Sequence, residues 1–143
     1  MKALIDTNII LDFFCKREGF FENANIIFQH CFTDVDGVIA GHTVSNLFYI
    51  LKNVYGFTLE QCRMKIRNLC VLFELSGLNK DVILAAIENE GFSDFEDSLQ
   101  NECALASDVD YIITRNVGDF KHASVPVVMP GEFIEIVRSK KFC

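Results

Sequence analysis

No apolar run in these 143 residues is long enough to span a bilayer, and the N-terminus lacks the basic region and cleavage site of a signal peptide. A cytoplasmic location is the expectation. Cysteines occur at positions 15, 31, 62, 70, 103 and 143, with no C-x-x-C pair and no metal-ligand spacing. Most lie among apolar residues, where a free thiol behaves as a small hydrophobe, so a disulfide framework is not expected. His30, His42 and His122 are similarly scattered, which argues against zinc. Basic residues are outnumbered, 13 against 20 acids. The net charge of -7 argues against broad attachment to DNA or RNA through a basic surface. The local groupings of Arg63, Lys65 and Arg67, and of Arg138, Lys140 and Lys141, read as solvated helix faces. Also missing are a G-x-S-x-G element, a Walker-type phosphate loop, internal repeats, linkers and low-complexity segments.

What remains is a chain that is 50% hydrophobic with 14 phenylalanines, suited to a packed core and, at this length, to a single domain over residues 1–143. The apolar run Ala3-Leu4-Ile5 reads as a buried strand, with Thr7 or Asn8 opening the helix after it and Ile9 to Phe14 forming that helix. Ala24, Ile27, Phe28 and Phe32 recur at helical spacing, Gly37 to Ala40 read as a second strand, and Val44 to Val54 as an amphipathic helix closed at Gly56. Thr58-Leu59-Glu60-Gln61 has the form of a capping box, opening a helix to about Leu72. Val71 to Leu75 is expected as a third strand, Asp81 to Glu88 as a helix, and Ser93-Asp94-Phe95-Glu96 as a second capping box whose helix runs to about Ser107. Tyr111 to Ile113 and Val125 to Val128 complete the strands, and Pro130 precedes a last helix over Glu132 to Arg138. Short strands alternating with helices predict an α/β fold with a mainly parallel sheet of about five strands.

Asp6 ends the first strand, at the sheet edge where parallel α/β proteins place their chemistry. A carboxylate there is costly to bury unless a cation or hydrogen bonds hold it, although a lone Asp can also simply cap the next helix. Asp94 and Asp97 stand at i and i+3 on a predicted helix, and Asn101 continues their face, with Phe95, Leu99 and Ala106 opposite. Taken alone, both acids are explained by the helix macrodipole. The segment Thr114-Arg115-Asn116-Val117-Gly118-Asp119-Phe120 again puts polar groups at a strand end. If the first and fourth strands are neighbours, Asp6, Asn116 and Asp119 meet beside the start of the Asp94–Asp97 helix. Converging carboxylates raise one another's pKa values, and hard oxygen ligands of this kind suit Mg²⁺ or Mn²⁺.

These three blocks, Leu4-Ile5-Asp6-Thr7-Asn8, Asp94 to Gln100 and Thr114 to Phe120, resemble those of PIN-domain proteins, many of which are ribonuclease toxins of the VapC group. The similarity runs to Pro130-Gly131-Glu132-Phe133. It implies a three-layer α/β/α sandwich and a Mg²⁺- or Mn²⁺-dependent ribonuclease site. Asp6 and Asp97 would be the principal metal ligands, with Asp94, Asn116 and Asp119 completing the pocket directly or through water. Thr7 or Asn8 would orient Asp6, Thr114 would line the pocket, and Arg115 would steady a substrate phosphate. An antitoxin partner and a homodimer are implied as well; Phe48, Tyr49, Leu69, Leu72 and Phe73 are the candidates for apolar contact. One position departs from the pattern. Where the family usually carries Glu on the helix after the second strand, this chain has Asn46, in Thr43-Val44-Ser45-Asn46-Leu47. Two readings stand: a metal-dependent endoribonuclease of toxin type, or a PIN-fold module that binds RNA or protein without cutting. A phosphatase built on Asp6 fits less well, since Asp6-Thr7-Asn8 lacks a second acid two residues on.

Overall fold

The computed structural model describes residues 1–142. Strand β1 (Lys2–Ile5) leads into helix α1 (Thr7–Phe14), followed by α2 (Phe21–Thr33), β2 (Asp36–Ala40) and α3 (Gly41–Asn53). Then come α4 (Leu59–Leu72), β3 (Glu74–Ser76), α5 (Lys80–Glu88) and α6 (Phe95–Ala106). The chain continues through β4 (Tyr111–Ile113), a 3-10 turn (Val117–Phe120), β5 (Val127–Val128) and α7 (Pro130–Lys141). The strands form one all-parallel sheet in the order β3-β2-β1-β4-β5. β1 is therefore central, with β4 as its neighbour, and the order of strands reverses beside it.

Strand periodicity divides the core in two. Leu4, Val38, Ala40 and Ile112 face one side of the sheet, where Cys103 and Ala104 of α6 and Phe120 cover them. Ala3, Ile5, Ile39, Ile113 and Val128 face the other, against Ile9 of α1, Ile27 of α2, Leu47 of α3, Cys62 of α4 and Phe133 of α7. Helices on both faces make the three layers that the resemblance implies. The five cysteines among the described residues are free thiols, and Cys143 lies outside the described residues. No helix among those residues is long and apolar enough to cross a membrane.

Local signals set most boundaries. Thr58 and Gln61 form the expected capping box: Gln61 N donates to Thr58 Oγ1 at 3.1 Å and Thr58 N to Gln61 Oε1 at 2.9 Å. Gly56, with φ of 71°, takes the left-handed turn after α3 that a side chain would resist. Pro130 opens α7, which starts earlier and ends later than expected. The third strand is corrected from Val71–Leu75 to Glu74–Ser76, because α4 keeps Val71 and Leu72 and leaves Val71 84% exposed. One apolar run is thus shared between a helix end and a strand, and apolarity alone does not mark where one becomes the other. Of the apolar contact candidates, Leu69 and Phe73 are spent in the core, Phe48 and Leu72 are half-buried against it, and Tyr49 is open to solvent.

Candidate functional site

The sheet edge delivers Asp6. Asp6 N donates to Ile113 O, and Thr114 N to Val128 O, each at 3.0 Å, so both residues continue their strands by one ladder step. Asp6 then occupies the N-cap position of α1 with extended backbone, yet its side chain caps nothing. The capping explanation for this acid is therefore excluded. Thr7 and Asn8 do not orient it either: Thr7 Oγ1 shares a buried 3.2 Å hydrogen bond with Thr43 Oγ1, and Asn8 Oδ1 accepts from Arg17 Nη1 at 3.4 Å. The orienting groups come from helix α6 and from the end of the adjacent strand β4. Gln100 Nε2 donates to Asp6 Oδ1 at 2.9 Å and Thr114 Oγ1 donates to Asp6 Oδ2 at 2.8 Å. Asn116 N donates to Thr114 Oγ1 at 3.0 Å, which leaves the threonine's own proton for Asp6. Both oxygens of a carboxylate that is 4% exposed are thereby satisfied, as its burial demands.

Helix α6 brings the other acids. Asp94 is its N-cap, accepting from Asp97 N at 3.1 Å, so the cap falls one residue later than the expected Ser93. Leu99, Cys103 and Ala104 form the packed side, whereas Phe95 and Ala106 are exposed, contrary to the expected face. Asn101 does not extend the acidic face. It accepts from Ser124 N at 2.9 Å and donates to Ser124 Oγ at 3.3 Å, tying the β4–β5 connection to α6. Burial of this amide required partners, and the loop supplies them.

Burial pushes the Asp97 carboxyl up to about 7, and the charges of Asp94, Asp6, Asp119 and Glu96 push in the same direction. Glu96 is raised by burial, against a hydrogen bond from Asn46, and further raised by Asp6 and Asp94. Asp6, Asp94, Glu96, Asp97 and Asp119 thus share one electrostatic neighbourhood. Asn46 and Glu96 also line one open cleft of about 430 Å³, with Ser45, Tyr49 and Ile50. His42, at the start of α3, is lowered by burial against the pull of Asp6. Both of its ring nitrogens and Gln100 Oε1 are buried without hydrogen-bond partners. Asn116 and Asp119 are exposed at the rim.

Arg115 is committed elsewhere. Its Nε and Nη2 grip Asp12 at 2.7 and 3.0 Å, and its guanidinium lies 3.9 Å from the ring centroid of Phe20. Gln100, Glu96 and His42 are the residues that sequence reasoning passed over. Gln100 was within reach, since it stands at i+3 from Asp97 on one helix.

A divalent ion fits the donor set. Mutually repelling carboxylates beside an unpartnered amide oxygen, Gln100 Oε1, are hard donors short of positive charge. Among the described residues no three His, Cys, Asp or Glu side chains are gathered as a ready cage. Mg²⁺ does not need one, because it keeps several waters and takes one or two carboxylates.

A family model described as PIN domain matches residues 2–118. No curated protein matches the sequence. Among solved structures, a toxin–antitoxin complex from Klebsiella pneumoniae is 23% identical, with a TM-score of 0.67 over 90% of this chain and 97% of that one. Mycobacterium tuberculosis VapC20, a toxin that cleaves the sarcin-ricin loop, is 11% identical with a TM-score of 0.69, over 86% and 95% of the two chains. VapBC2 from Rickettsia felis, bound to a DNA fragment from its promoter, is 16% identical with a TM-score of 0.63, over 90% and 98%. At these identities the likeness is one of fold.

Proposed function

Since the chain belongs to the PIN domain family, we propose that it is a Mg²⁺- or Mn²⁺-dependent endoribonuclease, the toxin of a toxin–antitoxin pair. The observation that carries this reading is Asp6, fixed through both oxygens at the sheet edge and surrounded by the acids of α6 and the 3-10 turn. When bound, the ion would polarise the phosphodiester and lower the pKa of a water. Asp6 and Asp97 would hold it, with Asp94, Asn116 and Asp119 completing the pocket directly or through water. Gln100 and Thr114 keep the Asp6 carboxylate aimed. Asp97, raised to about 7, gives up its proton as the cation is taken, so binding strengthens with pH. Asp119, exposed at the rim, is assigned the attacking water. The water would pass a proton to the Asp119 carboxylate as its oxygen bonds to phosphorus, the ribose–phosphate ester bond opposite would break, and the leaving oxygen would take a proton from solvent.

Structural neighbours described as toxin–antitoxin complexes support an antitoxin partner. A homodimer and a cytoplasmic location complete the proposal. Asn46 favours the second reading, a module that binds RNA without cutting, because an amide brings no charge to a metal.

The experiment is cleavage of a labelled single-stranded RNA against Mn²⁺ concentration. The wild type is expected to cut, and the Asp97→Asn variant and excess chelator each to abolish cutting. Retention of RNA uncut at every metal concentration would replace the nuclease by the binding module.

A further inference from the structure

Helix α3 carries an amide at position 46, one turn beyond Thr43, whose hydroxyl bonds Thr7 beside Asp6. Asn46 lines one open cleft with Glu96, on the first turn of α6. Glu96 is half-buried, unlike the solvated acids that usually decorate the start of a helix, so the macrodipole does not account for its position. It stands at i relative to Gln100 at i+4, one face of α6, and Gln100 is the residue bonded to Asp6. Glu96 therefore stands one helical turn from the amide that holds Asp6, on the same side of α6. Partial burial of a carboxylate is costly, and a neighbouring amide offsets only part of the cost. A cation would offset the rest.

We propose that Glu96 is a further carboxylate of the metal pocket and that Asn46 is its positioning residue, so that the acid and the amide have exchanged helices. The amide of Asn46 engages the Glu96 carboxylate, which retains acceptor capacity for a cation or for one of its waters. The missing charge at position 46 is then a relocated charge. This rests on the reading of the site as a divalent-metal site.

The test is titration calorimetry of the full chain with MnCl₂ as the probe, with RNA cleavage recorded in parallel. Asp97→Asn is the control that removes a principal ligand. Glu96→Gln is expected to weaken Mn²⁺ binding about 10-fold or more, the range seen when groups supporting a metal site are lost. Asn46→Ala should weaken it less, because the carboxylate is loosened and not removed. The double variant Glu96→Gln/Asn46→Glu, which returns the charge to α3 and the amide to α6, should recover most of the loss. Thermal unfolding in chelator checks that each variant folds. Wild-type affinity in Glu96→Gln, with affinity lost in Asp97→Asn, would overturn the role of Glu96. A double variant as weak as Glu96→Gln would overturn the exchange. Absence of Mn²⁺ binding by the wild type would overturn this proposal together with the metal reading. Binding that depends on Glu96 while no RNA is cut would uphold it and remove the nuclease.

Discussion

Arg115 and Asp12 illustrate how a charge next to an active edge can serve the fold. Asp12 is 1% exposed as a side chain and receives two bonds from Arg115 plus Arg17 Nη1 at 3.3 Å. Breaking a buried ion pair leaves a charge without its partner, which typically costs several kcal/mol. Arg115→Ala is therefore expected to lower stability by about 3 kcal/mol, the lower end of that range because Arg17 remains. Chemical denaturation measures it. Mn²⁺ affinity of the folded variant should stay near that of the wild type; a large loss of affinity at unchanged stability would return Arg115 to the substrate side. Sequence order hid this pairing, since nothing local links position 115 to position 12.

Among the elements, β2 meets the residue that closes α4 where Gly37 faces Phe73. A Cβ at Gly37 would stand 2.5 Å from two ring carbons of Phe73. Phe73 is 4% exposed and packs edge-on against Phe28, so the ring has nowhere to retreat. Gly37→Ala should destabilise by about 1–3 kcal/mol, as overpacked cores do, read as a lower denaturant midpoint with unchanged slope. Elements with strong local signals were legible in the sequence: β4 was expected at its observed residues, and the Thr58–Gln61 capping box opens α4 as read. The acids could be gathered because strand ends and a helix start are local features too. What orients Asp6 was not legible. A buried carboxylate takes whichever donors the tertiary fold brings, and Gln100 and Thr114 arrive from two distant elements, while the adjacent Thr7 and Asn8 turn away. The β3 boundary failed for a different reason, because Val71 is apolar and yet left at the surface.

The molecule as a whole should respond to pH in two separate windows. Asp97 has an ordinary value of 3.8 and is raised to about 7 in the fold, chiefly by burial and then by Asp94, Asp6, Asp119 and Glu96. Between those values the folded state holds a proton that the unfolded chain has released, so stability falls as pH rises from about 4 to about 7. Asp34 has the opposite sign: despite a slight burial cost, Lys141, His30 and Thr33 hold it at about 2, and its contribution is lost as pH falls below about 4. The melting temperature in chelator is expected to decline from pH 5 to 7, to flatten in Asp97→Asn, and to be restored in the wild type by Mn²⁺. A rise over that interval in metal-free protein would contradict the crowding of acids around Asp97.

The central position of β1 has a consequence in time. During synthesis β1 precedes the other strands, yet the side chains that fix Asp6 lie 94 and 108 positions further along. Contacts of such separation form late, after the intervening loops have closed. Asp6 therefore emerges from the ribosome long before anything can aim it, and the pocket closes only when β4 docks against a strand made well before it. Under the proposed function, a chain able to cut RNA stays unable to do so until Gln100 and Thr114 have both been made and docked.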